Sequence, residues 1–206
     1  MITNKQLRIF SIFAWNPYKE YSFRGLKEAV KENSNSIIQN AVASFLKEDL
    51  IICKKIGTTK LYKVNHENKK VYDYFSLAIQ EELPKLVRLS IKRIRDELDK
   101  QSYFYSIVIF GSYANRTQQK DSDLDIAIFI QEEKDQKKFE RALKSAEIKS
   151  LLDLDPHAIT KAEFLEMLTN DEQNLGKEIA RNHLIIHNPN IFYSMIKEGL
   201  KHGFKL

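Results

Sequence analysis

The residues of this chain best suited to chemistry are a Gly111-Ser112 pair and, after ten intervening residues, an Asp123-Leu124-Asp125 triplet. The pair closes an apolar run, Ile107-Val108-Ile109-Phe110, which reads as a buried strand ending in a tight turn. Gly111 lets the backbone approach a ligand with no Cβ in the way. Backbone N–H groups at the turn and the Ser112 hydroxyl suit phosphate oxygens at a helix N-terminus. Leu124 opens a second apolar run, Leu124 to Ile130. Residues two apart on a strand share a face, so Asp123 and Asp125 point the same way. Two carboxylates aimed at one spot repel unless a cation lies between them, and oxygen ligands of this kind suit Mg²⁺ bound together with substrate phosphates. Taken singly, the Gly-Ser pair also fits an ordinary turn, and the two aspartates also fit a solvated strand entrance.

These pieces must be held by alternating strands and helices. Ser106–Phe110, Leu124–Ile130 and Leu152–Ile159 read as strands, with Leu184–Ile186 as a short fourth. Glu132 to Leu151 has amphipathic helical spacing, two further helices follow the third strand, and a last helix runs from about Asn190 to Leu200. Strands interleaved with helices give an α/β domain with a sheet and flanking helices.

In combination, the strand, Gly-Ser, the ten-residue gap, Asp-x-Asp and the second apolar strand resemble the DNA polymerase β-like nucleotidyltransferase superfamily, most closely its minimal nucleotidyltransferase branch. Phe110-Gly111-Ser112-Tyr113-Ala114 and Asp121-Ser122-Asp123-Leu124-Asp125-Ile126 carry the resemblance, which covers roughly residues 104–200. It implies a third carboxylate on the next strand, acting as base toward an acceptor hydroxyl or helping to hold a second metal ion. Asp155 fits that place best and Asp153 is the fallback; His157 shares their face and is read as a hydrogen-bonded structural histidine. It also implies two Mg²⁺ (or Mn²⁺) ions held by Asp123, Asp125 and Asp155, and transfer of a nucleoside monophosphate from a nucleoside triphosphate with release of pyrophosphate. The chain departs from the pattern after Ala114. Relatives carry a basic residue and then glycine, whereas Asn115-Arg116 stands here, so Arg116 and Lys120 are the loop cations within reach of a phosphate, and both also fit a solvated loop.

The first half of the chain has a different character. Residues 1–100 carry 19 Lys and Arg against 12 Asp and Glu, and residues 101–206 carry 14 against 16. A net +7 beside a net −2 places any polyanionic partner on the first half. Apolar spacing gives helices over 3–13, 23–31 and 34–48, capped by Thr3 or Asn4, Ser22 and Ser34. Two short strands follow, Leu50–Ile56 and Lys60–Val64, joined at Gly57-Thr58-Thr59. Three helices and a hairpin resemble a winged helix-turn-helix over residues 1–66. Such a module reads double-stranded DNA with its third helix, whose outward face offers Asn35, Ser36, Gln39 and Asn40, while Lys54, Lys55 and Lys60 suit phosphate contacts at the wing. The same module also serves for protein contact, because fold does not fix function.

Residues 67–101 read as a helical connector, with Pro84 kinking or splitting it. It is a candidate surface for homodimerisation, although its heptads are too irregular for a coiled coil. One cysteine, Cys53, excludes an intrachain disulfide and a multi-cysteine metal site. No eighteen apolar residues run together and the first residues lack a secretion signal, so no membrane association and a cytoplasmic placement are expected. The expected whole is a two-domain α+β/α/β chain: a winged helix-turn-helix at 1–66, a connector at 67–101 and a polymerase β-like nucleotidyltransferase domain at 102–206. Its acceptor is left open between a protein hydroxyl, a small molecule and a nucleic acid end. The alternative is a DNA-binding regulator or antitoxin-like protein whose second domain senses nucleotide or is inactive.

Overall fold

The computed structural model describes residues 2–206, which divide into two compact units, the first ending at Glu81 and the second beginning at Glu82. Each unit has its own apolar core.

The first unit begins with α1 (Asn4–Trp15), opened by a capping box in which the Thr3 hydroxyl accepts from Gln6 N–H and the Gln6 side chain accepts from Thr3 N–H. β1 (Tyr21–Ser22) runs directly into α2 (Phe23–Val30), capped by the Ser22 hydroxyl, which accepts from Gly25 N–H at 3.0 Å. α3 (Asn35–Lys47) follows, then β2 (Ile51–Ile56), β3 (Thr59–Val64) and α4 (Lys70–Glu82). The strands form one antiparallel sheet in the order β1-β3-β2. Phe10, Phe13, Phe45 and Phe75 are fully buried and meet edge-on or tilted around Phe10, so α1, α3 and α4 share one aromatic core. The turn between β2 and β3 is tighter than the sequence reading placed it. Ile56 pairs with Thr59, leaving only Gly57 and Thr58 between the strands, and Gly57 takes the positive φ of 58° that such a turn demands. On α3, Ile38, Ala41, Val42 and Phe45 are buried, whereas Leu46, apolar and at core spacing, is 40% exposed.

Residues 67–101 are divided between the units. α4 packs into the first; Pro84, with no N–H to give, then stands as the N-cap of α5 (Lys85–Leu98), which belongs to the second.

The second unit continues with β4 (Tyr105–Ile109), the single turn α6 (Gly111–Ala114), β5 (Leu124–Ile130), a 3₁₀ turn and α7 (Gln136–Lys149). It ends with β6 (Leu154–Thr160), α8 (Lys161–Thr169), α9 (Leu175–Arg181), β7 (Leu184–His187) and α10 (Pro189–Lys201). The sheet order is β6-β5-β4-β7, with β5 and β6 parallel and the other pairs antiparallel. The β5-α7-β6 crossover is what makes that one pair parallel. Every residue of β4 is buried, which explains its uninterrupted apolar run. Tyr105, whose face of the sheet holds Ile128 and Ile130, meets Phe139 of α7, while on the opposite face Phe129 packs against Phe164 of α8 and Phe192 of α10. The sheet is therefore covered on both sides, and the start of β5 and β6 carries Asp123, Asp125, Asp153 and Asp155. Among the described residues no helix is long and apolar enough to cross a membrane.

Candidate active site

The end of β4, the turn of α6 and the start of β5 meet because β4 and β5 run antiparallel: Ile109 pairs with Ile126, and Phe110 N–H donates to the Asp125 carbonyl at 3.1 Å. Gly111 follows with φ +60°, a left-handed conformation that favours glycine. A Cβ built at this position would lie 2.1 Å from Asp125 Oδ2 and 2.7 Å from Asp125 Cγ. Glycine at 111 is thus required twice, by backbone conformation and by contact with the carboxylate. The turn closes through Asn115 N–H to the Gly111 carbonyl and Thr117 N–H to the Ser112 carbonyl.

Asp125 sits under opposing influences. Partial burial pushes its carboxyl above the usual carboxylate range, and the charges of Asp155 and Asp123 push the same way; a hydrogen bond from Ser112 N–H pulls it back. Ser112 therefore spends its backbone donor on Asp125.

The parallel register pairs Asp125 with Asp155 and Ala127 with His157. In parallel strands, paired residues present side chains to the same face, so Asp125, Asp155 and His157 share one. His157 Nε2 lies 3.3 Å from Asp155 Oδ2, and its ring tilts against Phe110 with centroids 5.8 Å apart. The histidine read as structural thus stands beside Asp155. Asp153 precedes β6, and its carbonyl accepts from Leu124 N–H at 2.9 Å. Asp123, Asp125 and Asp155 converge at this end of the sheet. Even so, among the described residues no group of three or more His, Cys, Asp and Glu side chains is disposed to hold a metal ion.

The two loop cations lie apart from one another in role. Arg116, at φ +57°, reaches Glu82 with Nη2 to Oε2 at 3.2 Å, a contact that no local sequence pattern announces across 34 positions. Lys120 lies on the wall of a cavity of about 550 Å³ with Asp121, Asp123 and Asp153 and the end of α7. The cavity went unread in the sequence, since Glu147 and Ile148 look like an ordinary solvated helix end until the fold brings them to the start of β5.

In the first unit, Asn35, Ser36, Gln39 and Asn40 are all exposed on α3, and Lys54, Lys55 and Lys60 are exposed on the hairpin. Two of the α3 side chains already have partners: Asn35 Oδ1 accepts from Lys27 Nζ at 2.7 Å, and the Ser36 hydroxyl pairs with that of Ser34 at 2.9 Å. Lys55 and Lys60 pair directly across the ladder.

Residues 91–187, a little under half of the chain, match the family model described as nucleotidyltransferase domain. The match runs from α5 to the end of β7 and takes in every carboxylate of the site. A comparison with curated proteins finds no match.

Proposed function

We propose that the second unit is a metal-dependent nucleotidyltransferase that moves a nucleoside monophosphate from a nucleoside triphosphate to an acceptor hydroxyl. One observation carries the reading: the backbone of Gly111 lies flush against the carboxylate of Asp125, a position where any Cβ would overlap it. A turn that close to a carboxylate brings the Ser112 hydroxyl and the acidic cluster to bear on one bound group.

Asp123 and Asp125 are the residues that would hold Mg²⁺, or Mn²⁺ in its place, with Asp155 joining them for a second ion. The fit is partial but sound for this metal, which takes one or two carboxylates and fills its other positions with water and substrate phosphate. Burial raises the Asp125 carboxyl first, and the repulsion that Asp155 and Asp123 add to it is what a bound cation would remove. When bound, the metal supplies charge neutralisation for the triphosphate. The chain's own groups do the rest. Ser112 donates its hydroxyl to a phosphate oxygen, and Lys120 adds a positive charge from the loop. Asp155 accepts the acceptor's proton, with His157 at 3.3 Å holding the carboxylate in place. Positioning and electrostatics carry the acceleration, as is general for phosphoryl and nucleotidyl transfer.

The first unit has the element order of a winged helix-turn-helix, and on this reading it docks on double-stranded DNA. Two lysines held opposite each other on a hairpin repel, and a phosphate between them relieves the repulsion.

A second reading, a DNA-binding regulator whose second unit only senses nucleotide, draws on the Arg116–Glu82 ion pair, which holds a phosphate-seeking cation on a carboxylate. Titration calorimetry with each nucleoside triphosphate, with and without Mg²⁺, followed by a pyrophosphate-release assay in cell lysate, separates the two. Metal-dependent binding with release supports the transferase. Binding without release supports the sensor, and no binding with any divalent metal removes both.

A further inference from the structure

Arg116 is kept in place against a backbone cost. Its φ of +57° lies in the left-handed region that favours glycine. Hydrogen bonds tie that conformation to the turn carrying Ser112: Arg116 N–H donates to the Tyr113 carbonyl at 3.4 Å, and Thr117 N–H donates to the Ser112 carbonyl at 2.9 Å. The side chain leaves this turn and ends on Glu82, with Nη2 3.2 Å from Oε2. The arginine and glutamate side chains are 60% and 30% exposed, so the pair opens without disturbing a core. Glu82 is the last residue of α4; Leu83 after it is buried, and Pro84 then caps α5. The carboxylate is thus the anchored partner, and the long arginine arm is the one free to swing.

We propose that Glu82 is a built-in competitor for Arg116, holding the guanidinium until a nucleoside triphosphate takes it over. The proposal rests on the nucleotide-binding reading above and adds a control step to it. Arg116 starts four residues after Ser112, so its arm reaches a phosphate held at that turn. Charge decides the exchange, because a triphosphate presents several anionic oxygens in the paired geometry a guanidinium prefers, against the one carboxylate of Glu82. A partly exposed ion pair is weak, so Glu82 sets a threshold for binding without forbidding it. Linkage makes the effect reciprocal. Anything that draws Glu82 away from Arg116 tightens nucleotide binding, and a bound nucleotide releases the carboxylate at the end of α4, where the chain passes from the first unit into the second.

The test is titration calorimetry on the full chain with Mg²⁺ and ATP, CTP, GTP or UTP, whichever the wild type binds most tightly. Glu82→Gln, Arg116→Gln and the double variant are compared. Glu82→Gln is expected to lower the Kd about two- to fivefold, the range of an exposed ion pair, and Arg116→Gln to raise it. The double variant is expected to match Arg116→Gln alone, because Glu82 acts only through Arg116. Amide hydrogen exchange over residues 80–83 gives a second readout. Nucleotide should speed it in the wild type, and in Arg116→Gln it should be fast from the start and indifferent to nucleotide. A Kd that Glu82→Gln leaves unchanged or raises overturns the competition. So does a gain that persists in the Arg116→Gln background, which would mark a general effect of removing a negative charge. Both failures leave the nucleotide-binding reading standing, whereas a wild-type chain that binds none of the four triphosphates overturns that reading and the competition together.

Discussion

Gly111 and Asp125 are in such close apposition that a single added carbon at position 111 would fall 2.1 Å from Asp125 Oδ2. The smallest change at 111 therefore tests the site. Gly111→Ala is expected to cost roughly 1–3 kcal/mol from the left-handed backbone alone. It also displaces the carboxylate, so triphosphate binding falls further than stability does. Chemical denaturation paired with nucleotide titration checks both. Unchanged binding in a folded variant would show that the turn and the carboxylate act independently.

Asp125 gives a prediction with an unusual sign. Its carboxyl is raised by burial and by the neighbouring aspartates, so the folded chain holds that proton more tightly than the unfolded chain does. The ionised form is therefore a liability at neutral pH, and the liability disappears as pH falls through the raised value toward the ordinary one. Asp125→Asn is expected to raise the melting temperature of the metal-free protein at pH 7 and to narrow its gap from wild type near pH 4. The same variant loses Mg²⁺-dependent triphosphate binding. A lower melting temperature at pH 7 would mean that the hydrogen bond from Ser112 outweighs the repulsion.

Asp155 and Ser112 should separate binding from transfer. Asp155→Asn keeps nucleotide affinity within a few-fold and abolishes turnover, because its work is on the acceptor. Ser112→Ala weakens nucleotide binding by one neutral hydrogen bond, about 0.5–1.5 kcal/mol, and leaves residual turnover. If Asp153→Asn stops transfer while Asp155→Asn does not, the third carboxylate is the earlier of the two.

DNA binding by the first unit is expected to depend on the hairpin. Changing Lys54, Lys55 and Lys60 together to glutamine should weaken binding and flatten its dependence on salt by about three phosphate contacts. An unaltered salt slope would transfer the basic hairpin to a protein partner.

Much of the site was legible because its parts are local. The strand beginning at Leu124 follows from apolar spacing, and the close approach of the backbone at Gly111 from one glycine. Helix caps at Thr3 and Ser22 were equally plain, since a hydroxyl three residues before a backbone donor is a local pattern. What escaped depends on chain segments that meet only in the fold. Arg116, one of the loop cations offered for phosphate, reaches Glu82 across 34 positions, and His157 meets the ring of Phe110 only in the fold. Leu46 reads as core by helical spacing, yet it lies on the margin of α3 and lines an open groove beside the hairpin. Residues 67–101 read as one connector that Pro84 kinks or splits, and what spacing alone did not show is that its two helices belong to different units.

The rung that sets Asp125 beside Asp155 has a consequence for how such a chain tolerates change. A shift of one residue in β6 would bring Leu154 or Pro156 to the rung in place of Asp155 and turn the acidic face over to the core. Residues gained or lost in the loop before Asp123, or in the crossover around α7, are absorbed outside the ladder and leave the rung as it is. Length variation among descendants of this chain should therefore collect on both flanks of the carboxylates, and the seven positions of β6 should stay a fixed count.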